Sequence, residues 1–314
     1  MVQSRPGSIR SGRKGEHMPV FTGSGVAVIT PMNEDQTVNY SKLEELINYH
    51  IDHGTDAIII TGTTGESPTL SEEEHKDVIR AAVDFTAGRI PVVAGTGSNS
   101  TLTAIQLTQA AEEAGADAAL VVTPYYNKAT QKGLIEHYEA IADATKLPII
   151  VYNVPSRTGT NVLPQTMARL FHDRENIVGL KEATGNMSQA SETMRLCDGK
   201  LELYSGEDGL VVPLLSIGGL GVISVIANIA PQHTHDMVQA FFDGDVKRAA
   251  KMQLESLDMV NSLFCEVNPI PVKTAMNMLG ADCGPLRAPM CQMEPENVAR
   301  LKASLDAFEA YIDL

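Results

Sequence analysis

The chain has little positive charge. Its 24 lysine and arginine residues are outnumbered by 39 aspartate and glutamate residues, which gives a formal net charge of −15 at pH 7 over 314 residues. Polyanionic partners, such as nucleic acids or anionic membrane surfaces, require a basic face on the protein. The composition therefore argues against a nucleic-acid or membrane partner.

Long apolar runs are also missing. No uninterrupted stretch approaches the roughly 20 residues that cross a bilayer, and the N-terminus has no apolar core of a secretory signal. The four cysteines form no C-x-x-C pair, as expected for reduced thiols used in packing: Cys197, Cys265, Cys283 and Cys291. These absences favour a cytoplasmic protein without a disulfide framework.

The first residues, 1–18, contain arginine, serine and glycine but no periodic apolar face. We interpret them as a disordered leader. The favoured origin is a segment added for expression that ends at Met18, and the alternative is a short organellar transit peptide. The fold is predicted to begin at residue 19.

Short apolar runs alternate with amphipathic segments from Phe21 onward, which is typical of repeated βα units and a parallel sheet. The predicted strands are Gly25 to Thr30, Ala57 to Ile60, Ile90 to Ala94, Ala118 to Val122, Leu147 to Val151, Ile177 to Leu180, Leu201 to Tyr204 and Gly221 to Val225. The predicted helices include Ser41 to His53, Ser71 to Phe85, Thr101 to Ala114, Thr130 to Thr145 and Pro164 to Phe171. Eight such units predict an α/β fold of the (β/α)₈ TIM-barrel type.

An open doubly wound sheet is the alternative architecture. It normally has fewer strands, and its G-x-G-x-x-G fingerprint is absent after the first strand. We therefore predict a barrel over residues 19–230. Residues 231–314 are predicted to form the last barrel helix and a helical appendage, with breaks near Pro269, Pro271 and Pro285.

Lys181 ends the sixth predicted strand and is followed at once by a polar stretch. Active sites of TIM barrels gather at the carboxyl ends of the strands, so this lysine is expected to open into a pocket. Burial disfavours the ammonium form and lowers a lysine pKa from about 10.4 towards neutrality, which makes the amine a nucleophile for ketones. The alternative is a salt bridge with Glu182 or Glu207.

Phenols and a guanidinium follow the neighbouring strands. Tyr125 and Tyr126 come after the fourth strand and Tyr152 after the fifth, so groups that can relay protons are predicted at the same end of the barrel. Taken singly, each tyrosine is more simply a core residue. Arg157 lies in a proline-flanked segment where its planar fork suits a carboxylate; the alternative is a surface arginine.

Residues 61–67, Thr-Gly-Thr-Thr-Gly-Glu-Ser, follow the second strand. Their hydroxyls and backbone N–H groups predict a cradle for a small carboxylate, with a helix-capping turn as the alternative. Two later glycine-containing segments, 205–209 with Gly206 and 218–224 with Ile223, permit close approach of the backbone to a ligand.

Metal chemistry is the competing hypothesis for this barrel. His233 and His235 have usable ligand spacing, but they stand at a predicted helix start and no third ligand is evident. We therefore predict no metal site.

The segments around Tyr152 and Lys181 resemble the dihydrodipicolinate synthase family, a group of barrel enzymes that bind pyruvate as a Schiff base. The resemblance runs from about Phe21 to beyond Met290 and includes residues 267–273 of the appendage, Val-Asn-Pro-Ile-Pro-Val-Lys. It implies an enzyme without a metal or organic cofactor.

The resemblance also implies a role for each matching residue. Lys181 is the Schiff-base lysine, Tyr152 the central proton relay and Thr63 its partner hydroxyl. The remaining matches are Tyr126, which reaches across a dimer interface into the partner's site, Thr64 at the pyruvate carboxylate, Arg157 at the carboxylate of the second substrate, and Gly206 and the Ile223 carbonyl in the wall.

The reaction implied by this resemblance joins pyruvate to L-aspartate-4-semialdehyde and gives 4-hydroxy-tetrahydrodipicolinate, the first committed step of lysine and diaminopimelate biosynthesis. Sialic acid lyase and keto-deoxy sugar acid aldolases share the barrel, but Arg157 favours the synthase over them. A non-catalytic scaffold would have lost Lys181, Tyr152 or Thr63, and all three are present.

Relatives that are inhibited by lysine have an effector pocket at the dimer interface, which this chain matches at Ser67, His75, Asn99 and Tyr125. Two further positions of that pocket, a histidine and a glutamate, are Glu72 and Thr103 here. The resemblance therefore implies weak or absent inhibition by lysine. It also implies a homodimer that pairs into a homotetramer.

Overall fold

The computed structural model describes residues 18–314 and confirms the predicted architecture. Eight parallel strands close into a barrel in chain order, with the first strand hydrogen-bonded to the last. The strands are β1 Gly23–Ala27, β2 Ala57–Ile60, β3 Val92–Gly95, β4 Ala118–Val122, β5 Ile149–Asn153, β6 Ile177–Glu182, β7 Glu202–Ser205 and β8 Gly221–Ser224. The predicted leader lies outside the described residues except for Met18, which is exposed.

Helices follow the strands and cover the outside of the barrel. They are α1 Tyr40–Asp52, α2 Glu72–Thr86, α3 Thr101–Ala114, α4 Gln131–Asp143, α5 Pro155–Thr158, α6 Pro164–Asp173, α7 Met187–Leu196, α8 Val211–Leu215, α9 Pro231–Phe242, α10 Val246–Leu263, α11 Ile270–Met278 and α12 Pro295–Phe308. Short 3₁₀ turns occupy Ser67–Thr69, Asp208–Leu210 and Ile226–Asn228. Among the helices of residues 18–314, none has both the length and the apolar character that a membrane crossing requires.

Local chemistry sets where these elements begin. Helix α2 starts with a capping box, because the Ser71 hydroxyl accepts from the Glu74 N–H while the Glu74 carboxylate accepts from the Ser71 N–H. Strand β3 begins at Val92, two residues after the predicted start, since Pro91 has no N–H for the ladder. Strand β1 ends at Ala27, earlier than predicted, although Val28 to Thr30 stay fully buried.

The core has two layers. One lies inside the barrel and includes Ile59, Leu120 and Ile150, and the other lies between the strands and the surrounding helices. Cys197 and Cys283 are buried, as the packing interpretation predicts, but Cys291 is exposed and that interpretation is wrong for it. All four thiols are free.

The appendage packs against the barrel through its own apolar cluster, which contains residues of α10, α11 and α12 together with Ile29, next to β1. Helix α9 packs on β1 and β8. Helix α10 ends at Leu263 and α11 begins at Ile270, so the predicted break near Pro269 and Pro271 is confirmed, and Pro285 lies in the break between α11 and α12. The loop between α10 and α11, residues 264–268, thereby reaches the carboxyl ends of the barrel strands.

Candidate active site

A cavity of about 620 Å³ opens at the carboxyl ends of the strands. Six of the residues predicted from the sequence line it together: Thr63, Thr64, Tyr152, Arg157, Lys181 and Gly206. Strand order explains this convergence, because the parallel strands all present their last residues to one end of the barrel. The other end of the barrel is closed by Phe21, which stacks on Tyr204 with ring centroids 4.3 Å apart.

Lys181 lies near the end of β6 with only 6% of its surface exposed. Burial lowers the pKa of its amine to about 7, while Asp208 and Glu207 act in the opposite direction. Lys181 forms no ion pair within residues 18–314, so the salt-bridge alternative fails. Glu182, on the opposite face of the strand, accepts the Thr184 N–H at 2.6 Å instead. A neutral amine is therefore accessible near physiological pH.

Tyr152 is the register partner of Lys181 on the neighbouring strand β5. The Lys181 Nζ atom lies 4.2 Å from the centre of the Tyr152 ring. Burial raises the pKa of the phenol to about 12, and Arg157 and the Thr63 side chain act in the opposite direction. The phenol is therefore protonated at neutral pH and is placed to exchange its proton with a group bound at Lys181.

The loop after β2 brings Thr63 and Thr64 to the cavity. Thr61, the first residue of this loop, has a left-handed backbone conformation with φ of 52°. Its hydroxyl donates to the Gly95 carbonyl at 3.1 Å. The Glu66 carboxylate of the predicted cradle has a structural contact. It pairs with Lys273 of α11 at 2.7 Å, and both side chains are 1% exposed.

Arg157 lies in the short helix α5 rather than in a loop. Its Nη2 atom donates to the backbone carbonyl of Asn268 at 3.4 Å. The guanidinium therefore lines the cavity, between the strand ends and the loop that covers them, although Arg157 as a whole is exposed to solvent.

Gly206 is required by close packing around the lysine. A Cβ atom at this position would lie 3.2 Å from Lys181 Cε and 2.7 Å from the Cβ of Ala183. A side chain here would clash with Ala183 and press on Lys181. Ile223 lies in the interior cluster that contains Tyr152, whereas Val225 is the residue that lines the cavity after β8.

Asn268 and Asp208 were missed at the sequence level, and Glu207, which lines the cavity, was considered only as an ion-pair partner of Lys181. Asn268 lies in the covering loop and donates its Nδ2 hydrogen to Thr64 Oγ1 at 3.0 Å. Asp208 is buried and accepts the N–H groups of Val225 and Ile226, each at 3.0 Å. The polar run after β7 was a usable signal for Glu207 and Asp208, but nothing local marks Asn268.

Tyr126 lies away from this cavity. It has a left-handed φ of 71°, and 91% of its surface is exposed. Two of the predicted effector residues have contacts within the chain. His75 is buried and bonds the Gly95 carbonyl at 2.7 Å, while Asn99 accepts a hydrogen bond from Asn127, the residue after Tyr126.

The histidines considered for metal binding have other contacts. His235 Nδ1 lies 2.9 Å from an Asp56 oxygen, and the His233 ring packs edge-on against Phe308 of α12. Over residues 18–314, no group of three or more His, Cys, Asp or Glu side chains is arranged to hold a metal ion.

A closed parallel barrel with a polar cavity at the carboxyl ends of its strands, and a buried lysine in the wall, has the architecture of a TIM-barrel enzyme. The chain belongs to the Dihydrodipicolinate synthetase family, whose model it matches over residues 20–308. This match confirms the family resemblance of the sequence.

Three relatives illustrate the similarity. The 4-hydroxy-tetrahydrodipicolinate synthase of Lachnoclostridium phytofermentans is 58% identical over 277 residues, which is 88% of this chain and 94% of the relative. Dihydrodipicolinate synthase from Aquifex aeolicus superposes with a TM-score of 0.91 at 46% identity, covering 94% of this chain and all of the other. The chloride-inhibited enzyme from Acinetobacter baumannii in complex with pyruvate gives a TM-score of 0.89 at 44% identity, covering 92% and 99%.

Proposed function

We propose that this enzyme condenses pyruvate with L-aspartate-4-semialdehyde to form 4-hydroxy-tetrahydrodipicolinate, and that Lys181 carries the reaction as a Schiff base. One observation carries the proposal above the others: a buried lysine, with its pKa lowered to about 7, lies in a cavity whose walls also hold Tyr152 and Arg157. The names of the relatives and the pyruvate complex from Acinetobacter baumannii support the choice of substrates.

The chemistry begins at the neutral amine of Lys181. It attacks C2 of pyruvate, and the carbonyl oxygen leaves as water to give an imine. Loss of a proton from C3 gives the enamine, whose C3 attacks the aldehyde carbon of the second substrate, and the new alkoxide takes up a proton. The amino nitrogen of that substrate then attacks C2 and expels Lys181, which closes the ring. Carbon–carbon bond formation thus relies on the imine as the electron sink.

The side chains around Lys181 have separate roles in this reaction. Tyr152, with Thr63 beside it, transfers protons at C3, at the leaving oxygen and at the new alkoxide, a contribution of about 10² to 10⁴ in rate for a well-placed acid or base. The Thr64 hydroxyl and adjacent N–H groups hold the pyruvate carboxylate. Arg157 holds the carboxylate of the second substrate, where its planar fork offers two parallel hydrogen bonds.

Trapping the covalent intermediate tests this proposal. Borohydride added with pyruvate reduces the imine, and mass spectrometry of the peptides locates the adduct. We expect one reduced pyruvate on Lys181, together with turnover of L-aspartate-4-semialdehyde and none of sialic acid or keto-deoxy sugar acids. An adduct on Lys181 with cleavage of a sugar acid alone would overturn the substrate assignment. The absence of any adduct would overturn the mechanism.

The pH dependence of the reaction provides a first prediction. The amine attacks only when neutral, and its pKa is lowered to about 7 by burial. We therefore expect kcat/KM for pyruvate to be flat above about pH 7 and to fall tenfold for each unit below it, since this parameter reports the free enzyme. If kcat/KM instead kept rising with pH up to about pH 10, where an ordinary lysine titrates, the result would contradict a lowered pKa of Lys181.

A shared active site is the second prediction. We infer a homodimer in which Tyr126 enters the partner's cavity, which accounts for an aromatic side chain that is 91% exposed in the isolated chain. A Tyr126→Phe chain and a Lys181→Ala chain are each expected to be nearly inactive. Mixed dimers should regain activity, because one of their two sites has both residues intact. Verified mixed dimers that regain no activity would contradict the assignment of Tyr126. We also propose that two such dimers pair into a homotetramer.

The third prediction concerns inhibition by lysine. The matching positions in inhibited relatives hold a histidine and a glutamate, whereas this chain has Glu72 and Thr103. Without the acid at position 103, the α-amino group of a bound lysine lacks a partner, so activity is expected to be unchanged in millimolar lysine. The double variant Glu72→His and Thr103→Glu should gain inhibition. Strong inhibition of the unaltered enzyme would contradict this prediction.

The proposed step in biosynthesis and the four free thiols fit a cytoplasmic enzyme.

A further inference from the structure

Asn268 has a buried acceptor that the chain leaves unpaired. The residue is 4% exposed and lines the cavity from the loop between α10 and α11. Within the described residues, its Oδ1 atom has no hydrogen-bond partner. A buried acceptor without a donor is costly, so such an atom in a substrate cavity indicates a donor that arrives with the ligand.

The contacts of Asn268 place this oxygen between the two substrate positions. Its Nδ2 atom donates to Thr64 Oγ1 at 3.0 Å, and its backbone carbonyl accepts from Arg157 Nη2 at 3.4 Å. The Thr64 hydroxyl gives its own hydrogen to the pyruvate carboxylate in the proposed reaction, so its oxygen is the acceptor in the contact with Asn268. That arrangement directs Oδ1 away from Thr64.

The second substrate supplies a suitable donor. L-Aspartate-4-semialdehyde has an amino group on the carbon that bears its carboxylate, so a molecule whose carboxylate lies at Arg157 places its nitrogen beside the neighbouring Asn268. The Glu266 carboxylate of the same loop is held from outside the cavity, because its Oε1 atom accepts from the Glu294 N–H at 2.9 Å and from Asn297 Nδ2 at 2.8 Å.

We propose that Asn268 is a specificity-determining residue, whose Oδ1 accepts a hydrogen bond from the α-amino group of the second substrate and selects amino aldehydes over aldehydes that have the carboxylate alone. This inference rests on the proposed function. An amide oxygen accepts from both the ammonium and the neutral amine. The contact therefore survives the loss of the proton that must precede ring closure, whereas a carboxylate would hold that proton.

Comparison of two aldehydes tests the assignment. Succinate semialdehyde has the carboxylate and the aldehyde of L-aspartate-4-semialdehyde but no amino group. In Asn268→Ala we expect the KM for L-aspartate-4-semialdehyde to rise by about 10- to 100-fold, the range for a lost hydrogen bond to a charged group. Succinate semialdehyde is measured as an inhibitor that competes with the second substrate. Its inhibition constant in Asn268→Ala should stay within about twofold of the wild-type value, because this molecule has no amino group to bond Oδ1. Asn268→Asp, which keeps an oxygen acceptor of the same shape, should restore most of the discrimination.

A control separates recognition from support of the loop. Asn297→Ala removes the anchor of Glu266 from outside the cavity, so any change it causes should affect both aldehydes alike. Equal losses for both aldehydes in Asn268→Ala, or no loss for either, would overturn the assignment. Wild-type turnover of L-aspartate-4-semialdehyde and borohydride trapping of pyruvate, measured on the same preparation, test the proposed function independently. Normal wild-type results with unaltered discrimination in Asn268→Ala would therefore count against Asn268 alone.

Discussion

Replacing Lys181 with methionine is expected to abolish imine formation and to lower kcat by a factor on the order of 10⁴ to 10⁶, the range found when a catalytic nucleophile is removed. Methionine fills a similar volume without an amine. Borohydride trapping with pyruvate should leave no adduct on the variant, and steady-state turnover measures the loss. Residual activity within tenfold of the wild type would show that Lys181 is not the nucleophile.

The same substitution should stabilise the protein at neutral pH. The pKa of Lys181 is about 7 in the folded state, and an unfolded lysine titrates near 10.4. Between these values the unfolded chain binds more protons, so wild-type stability rises with pH across the window. The advantage of Lys181→Met in urea unfolding should therefore be largest at about pH 7 and disappear near pH 10.

Lys181→Arg is the matched control for this stability effect. The guanidinium stays charged when buried, so this variant should lose both activity and stability at either pH. A Lys181→Met variant less stable than the wild type at pH 7 would contradict the buried, neutral state of the amine.

Breaking the ion pair between Glu66 and Lys273 should have the largest effect on stability. Both side chains are 1% exposed, and Lys273 also donates to the Thr30 carbonyl at 2.9 Å. Lys273→Met leaves the Glu66 carboxylate without its ammonium partner inside the protein. Loss of one member of a buried pair costs about 3–5 kcal/mol of unfolding free energy, which urea unfolding measures.

Two comparisons show whether that cost arises from an unpaired charge. The double variant Glu66→Gln and Lys273→Met should recover most of the lost stability, because neither charge then remains. Lys302→Met breaks a pair with Asp306 in which both side chains are 67% exposed, and it should leave stability almost unchanged. A small loss in Lys273→Met alone would refute a structural role for the pair. Since Glu66 directly follows the loop that holds Thr63 and Thr64, the KM for pyruvate should rise in the single variant.

The sequence predicted the barrel because each βα unit repeats the same local pattern, and the fold then brings the strand ends together. Lys181 and Tyr152 were predictable for this reason, as residues that directly follow apolar runs. The end of β1 was less predictable: the Val28 N–H still donates to the Ile59 carbonyl at 3.1 Å, but the equally buried Ile29 donates to Asn228 Oδ1 at 3.2 Å and not to a strand. Apolar character reports burial there and not strand pairing.

Other parts of the site depend on contacts that no local pattern records. Asn268 is 204 residues from Thr64 in the chain, and only the packing of the appendage brings them together. Glu66 lies within the segment predicted as an anion cradle, and no local pattern indicates that its carboxylate pairs with Lys273 on α11. The position of Tyr126 relative to a second subunit is not a property of one chain, so its role stays a prediction.

The loop between α10 and α11 makes this enzyme modular. Its strand ends carry Lys181 and Tyr152, the proposed nucleophile and proton relay, while the segment 264–268 covers the cavity from the helical appendage. Exchange of this short segment keeps every strand residue, Lys181 and Tyr152 among them, and replaces the contact between Asn268 and Thr64. New acceptor aldehydes are therefore accessible, to evolution and to protein engineers alike, through a cover of five residues instead of a rebuilt catalytic centre.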